Sequence, residues 1–249
     1  MPLKSHPLWR LIPLLEGDGR LQMAIDSWIL KQHRCHNHPP TLRFYTWNPP
    51  AISLGRHQKK HLPPHWHTIP LPMVRRPTGG RAVLHQGDLC YAVITSVEKG
   101  SLYTIYREIS QFLIEGWRRL GLQLHFGSKQ YCLSSPNCFH LATAADLVDC
   151  RGGKLIGSAI LKQGDSILQH GSMLLSPNPQ LFEQVFQSPP PQPLIPPSLS
   201  LPQIIHSLTA AARDCFRCQF LLQPLSPKEM ADIITHGELP PQWALSPQD

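Results

Sequence analysis

RGGKLIGSAILKQGDSILQHGSMLL, Arg151 to Leu175, decides the fold class. Gly164-Asp165 lies between two runs rich in β-branched and aliphatic residues, a hairpin signal. The segment opening at Lys154 is therefore expected to pair antiparallel with SILQHGSMLL, and the upstream RGG to turn in from a further strand. Working outward, Leu89 to Thr95 reads as a buried strand and Leu122 to Phe126 as a short one. Leu102 to Leu120 reads as a long amphipathic helix, with Ile105, Ile109, Phe112, Leu113, Trp117 and Leu120 on one face and Gly121 as its stop. Nearer the start, Leu21 to Lys31 has helical spacing, and LRFYTWNPPAISLGRHQ (Leu42 to Gln58) reads as strand, Pro-Pro turn, strand. Beyond the proline-rich Ser188 to Pro197, a helix is expected over Leu201 to Phe220 and another over Ser226 to Thr235. Helices alternating with hairpins predict an α+β fold: a mostly antiparallel sheet flanked by helices.

Composition narrows the function classes. The 249 residues are 41% hydrophobic and 16% charged, which suits a globular chain rather than a disordered one. No apolar run reaches the length of a membrane span, so no membrane role is expected. Pro7 and Pro13 break the short apolar stretch at the N-terminus and no small-residue cleavage site follows. The expectation is no signal peptide and a cytoplasmic location. Seven cysteines, an odd number, fit reduced thiols better than a secreted disulfide framework. The net charge of +7 suits an acidic partner, but no nucleic-acid motif accompanies it, so no nucleic acid is expected.

Three stretches carry chemistry. In VRRPTGGRAVLHQGDLCYAVI (Val74 to Ile94), Gly79 and Gly80 let backbone approach a ligand, and Arg75, Arg76, Arg81 and His85 surround them with donors. No GKS or GKT follows, so this is not a P-loop. In the hairpin, Gly157, Ser158 and Ala159 leave room for a ligand chain against the sheet. Lys154 can neutralise an oxyanion there, and His170 and Gly171 lie on the paired strand. SSPNCFHLATAADLV holds Cys138 in an irregular loop; by residue type alone Cys138, Cys132 and Cys150 are equivalent nucleophile candidates. Cys215-x-x-Cys218 has neither a second pair nor more than His206 nearby, so core packing is expected and no metal site is predicted.

MAID (Met23 to Asp26), LRFYTWNPPAISLGRHQ, RRPTGGRAVLH (Arg75 to His85), GGKLIGSA and QHGSMLL occur in an order that resembles the biotin/lipoate protein ligase superfamily, in its lipoate-ligase-like octanoyltransferase branch. The resemblance spans roughly Leu21 to Leu175. It implies that Lys154 contacts the acyl carbonyl and that Arg76, Thr78, Gly79, Gly80 and His85 line an acyl tunnel with Gly157, Ser158, Ala159, His170 and Gly171. It also singles out Cys138, in a Cys-Phe pair upstream of the lysine hairpin, as the nucleophile. One departure is visible: the family usually has Asp after the loop histidine, where this chain has Gln86, with Asp88 two positions on.

The implied organisation is a ligase-like catalytic domain over 1–187, a proline-rich linker over 188–198 and a helical extension over 199–249 packed on the domain. The implied activity moves octanoate from acyl carrier protein to a lysine of a lipoyl domain or of glycine-cleavage H protein, through a Cys138 thioester and with no cofactor. The same resemblance admits an ATP- and Mg2+-dependent lipoate ligase, or a non-catalytic module that binds carrier proteins.

Overall fold

The computed structural model describes residues 3–58, 62–127, 146–192, 195–196 and 198–236. Its main sheet has eight strands: β1 (Leu8–Gly17), β2 (Thr41–Trp47), β6 (Asp88–Ser96), β7 (His125–Phe126), β8 (Leu147–Val148), β9 (Lys154–Gln163), β10 (Ser166–Leu174) and β11 (Gln219–Leu222). In space they run β11-β1-β2-β6-β10-β9-β8-β7. The pairings of β1 with β2 and β11 are parallel and the rest antiparallel, so the expected mostly antiparallel sheet is present. A second sheet joins β3 (Ala51–Leu54) to β4 (Met73–Arg75) and β5 (Val83–His85).

Two-residue alternation sorts each central strand between two cores. In β6, Leu89, Tyr91 and Val93 face the helices α2 (Leu102–Arg119) and α4 (Leu201–Phe216), while Cys90, Ala92 and Ile94 face α1 (Gly19–His36). Ile105, Ile109, Phe112, Leu113 and Trp117 of α2 are all buried, each worth about 1.5–3 kcal/mol of transfer free energy. Ser101 caps α2, its hydroxyl accepting from the Thr104 N–H at 3.1 Å. A third core lies between the small sheet, a 3-10 turn at Pro64–Thr68 and α3 (Pro179–Phe186).

Three elements differ from expectation. The helix from Leu201 stops at Phe216 because Arg217 takes a left-handed conformation, and 219–222 become β11, added in parallel to β1. The proline-broken N-terminus forms β1: a register shift between Ile12 and Leu15 places Pro13, which has no N–H to give, where the ladder is interrupted. Of Leu122 to Phe126 only His125–Phe126 is strand.

The chain after residue 198 packs back on the main sheet and its helices. Leu208 of α4 sits against Gly116 of α2, where a methyl group would come within 2.7 Å of it. Helix α5 (Pro227–His236) meets α1 through the Trp28 Nε1–Asp232 contact of 2.5 Å. Arg10 of β1 holds Glu229 with two hydrogen bonds, at 2.7 and 3.0 Å.

Candidate functional site

Where the α1 face of the main sheet meets the small sheet there is a mainly apolar, partly open pocket. Met23, Tyr45 and Trp47 floor it, and the glycine loop and the β9–β10 hairpin form its walls. Arg76, Gly80, His85, Gly157, Ser158, Ala159, His170 and Gly171 all line it, gathered from segments up to 95 positions apart.

The glycine loop is built around Arg76. Its guanidinium donates to Gly79 O (3.1 and 2.8 Å), Arg81 O (2.7 Å), Ser53 O (3.2 Å) and Ser53 Oγ (3.0 Å). A guanidinium has five N–H bonds, and five hydrogen bonds to protein are accounted for, so Arg76 shapes the loop. Gly80 has φ +98°, and a methyl group on Gly55 would sit 1.9 Å from Gly80 O; both positions require glycine.

Two histidines line the pocket and each is bonded to a buried carboxylate. His85 Nδ1 lies 2.8 Å from Asp88 Oδ2 and Nε2 lies 2.9 Å from Ser53 Oγ, and the ring stacks on Trp47 at 3.8 Å. The same Asp88 oxygen accepts from Ser172 Oγ (2.6 Å) and Cys90 Sγ (3.2 Å). Burial raises the Asp88 pKa, but the His85 charge and these three hydrogen bonds outweigh it and hold the carboxyl below its usual range. Burial, followed by the Asp88 charge, drives the Cys90 thiol well above its ordinary value. His85, Asp88 and Cys90 place their ligand atoms within 4.8 Å of one another, but those atoms already hydrogen-bond among themselves.

His170 is the second. Its Nδ1 lies 2.8 Å from Asp26 Oδ2 and its Nε2 lies 2.6 Å from Thr78 Oγ1. Asp26, on α1, also accepts from Tyr45 OH at 3.2 Å. Its other oxygen is 3.2 Å from Arg43 Nη1, an ion pair without hydrogen-bond alignment. Arg43 in turn donates to Gln22 and lies over the Tyr45 ring. Burial lowers the His170 pKa despite the Asp26 bond. The neutral ring then donates from Nδ1 to Asp26 and accepts at Nε2 from Thr78.

Lys154 opens β9 after a tight turn. Asp149 Oδ1 accepts from the N–H groups of Arg151 (2.9 Å) and Gly153 (2.8 Å), and Gly152 has φ +80°. The buried Lys154 Nζ is paired with Asp146 Oδ1 at 2.9 Å. Its side chain passes beside Gly157, a pocket-lining residue, where a methyl group would meet Cε at 3.1 Å and Nζ at 3.3 Å. Gly171 is required too: a methyl group there would come 2.5 Å from Gly157 O and 2.6 Å from Ser158 Oγ. Tyr91 reaches Ser158 Oγ at 2.8 Å, with its own pKa pushed by burial to about 12.

Cys138 and Cys132 lie outside the described residues. The Gly127 N–H donates to Asp146 O at 2.9 Å. Cys150 and Cys35 are exposed, and burial raises the thiols of Cys215, in α4, and Cys218, beyond its end. Gln86, the departure from the family pattern, accepts from the Asn178 N–H at 2.5 Å and ties the loop to the start of α3.

Several site residues carried no role in the sequence. Asp26, Ser53, Cys90 and Asp146 become visible only in space. The signal for Asp26 was its place as a carboxylate among the apolar residues Met23, Ala24, Ile25 and Ile29.

Residues 18–210 match the family model for the lipoyl protein ligase A/B catalytic domain. The chain is 36% identical over 195 residues to an octanoyltransferase LipM of Kyrpidia tusciae, covering 73% of this chain and 71% of that protein. It is 38% identical over 200 residues to the octanoyltransferase LipM of Geobacillus kaustophilus, covering 74% and 72%. A solved structure of lipoate-protein ligase A bound with ATP superposes with a TM-score of 0.76 at 21% identity, over 94% of this chain and 97% of that one. The bipartite lipoate protein ligase of Thermoplasma acidophilum superposes at 0.75 and 20% identity, over 96% of each chain. At such identities these two structures speak to the fold alone.

Proposed function

The chain belongs to the lipoyl protein ligase A/B catalytic domain family and is an octanoyltransferase of protein lipoylation; from that premise we propose that it works through a Cys138 acyl-enzyme. The donor is octanoyl acyl carrier protein and the acceptor a lysine of a lipoyl domain or of glycine-cleavage H protein. The setting is cytoplasmic, and no nucleotide or metal takes part.

One observation carries the reading. The buried Lys154–Asp146 pair lies next to Gly157, which lines a largely apolar pocket. The Cys138 thiolate attacks the donor thioester carbonyl, a C–S bond forms, and the phosphopantetheine thiolate of the carrier leaves. Lys154 Nζ and the N–H groups of the glycine loop stabilise the negative oxygen that develops. The acyl chain lies along Gly157, Ser158 and Ala159 over Met23 and Tyr45. Each methylene buried there is worth about 0.8 kcal/mol, which makes the pocket a chain-length gauge. The net charge of +7 steers acidic carrier and acceptor domains toward the enzyme.

The test is octanoyl carrier protein, a lipoyl-domain acceptor and no ATP. Acceptor octanoylation by the unsubstituted protein, with loss in Cys138→Ala and Lys154→Ala, is the expected result. Activity that instead needs ATP and free acid, and survives Cys138→Ala, refutes the acyl-enzyme route. Neither a protein adduct nor product with several acceptors would leave a carrier-binding module.

A further inference from the structure

Resting on the reading of the pocket as the acyl site, we propose that His85, Asp88 and Cys90 form a Zn2+ site whose filling blocks the acyl chain. Zinc is then an inhibitor of an enzyme whose chemistry needs no metal.

The three side chains meet where the two sheets face each other. His85 ends β5 of the small sheet, and Asp88 and Cys90 open β6 of the main sheet, two residues apart and so on one face. His85 Nδ1 lies 2.8 Å from Asp88 Oδ2, and Cys90 Sγ lies 3.2 Å from that oxygen and 3.3 Å from that nitrogen. Among the described residues this is the sole group of three or more His, Cys, Asp or Glu with ligand atoms so close. Bonds of about 2.0–2.3 Å in a tetrahedron hold zinc ligand atoms about 3.3–3.6 Å apart, so each edge of this triangle has to open by about half an ångström or less.

The donor set selects the metal. A thiolate is too soft for Mg2+ or Ca2+, whereas thiolate, imidazole and carboxylate are the zinc ligands of proteins, and three of them leave a fourth position for water. The surroundings orient the ligands as a metal requires. His85 stacks on Trp47 at 3.8 Å, with Nε2 2.9 Å from Ser53 Oγ, and Ser172 Oγ donates to Asp88 at 2.6 Å. Without metal, protons hold the triangle together. On binding, Cys90 gives its thiol proton to solvent and His85 carries its N–H on Nε2, facing Ser53. One dication against a carboxylate and a thiolate leaves the buried site without net charge. The pair at His170 has no such capacity, since its partners are Asp26 and Thr78 and no thiol.

His85, Cys90 and Ser172 line the partly open pocket, which gives the ion a route from solvent and puts it in the pocket wall. A hydrated zinc there brings polar atoms into a mainly apolar lining that the acyl chain has to cover.

The experiment uses the full chain, reduced and metal-free, with Co2+ as the optical probe. Co2+ should give a sulfur-to-metal charge-transfer band and tetrahedral visible bands, removed by one equivalent of Zn2+. Cys90→Ser, which keeps a donor to Asp88, should lose the charge-transfer band and bind Zn2+ about 100-fold more weakly or worse, the upper end of what losing even an outer partner costs. Cys90→Ala is the second variant should the serine protein not fold. Cys138→Ala should keep the band. Octanoylation is then compared with and without Zn2+ within each protein: Cys90→Ser should need about 100 times more zinc for the same fractional inhibition. A band that survives in Cys90→Ser or vanishes in Cys138→Ala, equal zinc sensitivity of the two proteins, or zinc bound through Cys90 with octanoylation unaffected overturns the proposal. Metal binding is read without substrate, so a protein that transfers no octanoate fails the acyl reading while the Co2+ titration still decides the site.

Discussion

Two histidines line one pocket, each bonded to a buried carboxylate, and their surroundings differ. Asp88 accepts from His85, Ser172 and Cys90, and the chain behind His85 ends on Arg76, which is spent on the loop. Every group there is satisfied by protein, and that is how a buried polar cluster stabilises a fold. Asp26 is equally buried, but the chain from it runs through His170, which lines the pocket, to the buried Thr78 hydroxyl and involves no thiol. One network gathers three donors on a single carboxylate oxygen; the other is a linear chain.

The sharpest test of that contrast is stability. Asp88→Asn leaves three donors facing an amide and is expected to cost about 3 kcal/mol or more, read by urea denaturation. Thr78→Val removes one hydrogen bond and should cost about 1 kcal/mol. Equal losses would erase the distinction between the two networks.

Titration separates the pairs next. The His170 pKa is depressed in the fold below its ordinary 6.5. The unfolded chain therefore takes up that proton first, and the His170 contribution is full above pH 6.5 and wanes as pH falls below it. Asp88 is depressed below 3.8, so its contribution is full above pH 3.8 and wanes only below that. His33, also depressed by burial, adds to the slope below pH 6.5, so the comparison is between variants. His170→Gln should flatten the stability–pH curve below pH 6.5, and Asp88→Asn only below pH 3.8. A His170→Gln curve parallel to the unsubstituted one would remove His170 from the titration.

The smallest effect belongs to Gln86. Its role is a single hydrogen bond to the start of α3, so Gln86→Ala should cost about 1 kcal/mol and leave the transfer rate within twofold. A large drop in transfer would place Gln86 in the site after all.

Much of the fold was legible because local physics determines it. The Gly164-Asp165 hairpin, the α2 face from Ile105 to Trp117 and the strands β2 and β6 follow from turn chemistry, periodicity and apolar runs. Two strands were not legible. β1 is interrupted by Pro13, and β11 is short with mostly exposed side chains; both exist because they pair with each other and with β2. The pocket was half legible. Glycines, small residues and a lysine mark a ligand wall in any context, so the RRPTGG loop and Lys154 stood out.

By itself, then, the sequence determined the hairpins, the long helices and the small and glycine residues that line the pocket, since each depends on neighbours within a few turns of chain. Tertiary structure decided that Arg76 builds the loop through hydrogen bonds to Ser53, Gly79 and Arg81. It also decided that Asp26 stands behind His170 across 144 positions, and that Asp88, three residues from His85, satisfies a closed cluster. A side chain's donors and acceptors are known from its identity, but which of them are left over depends on what packs against it.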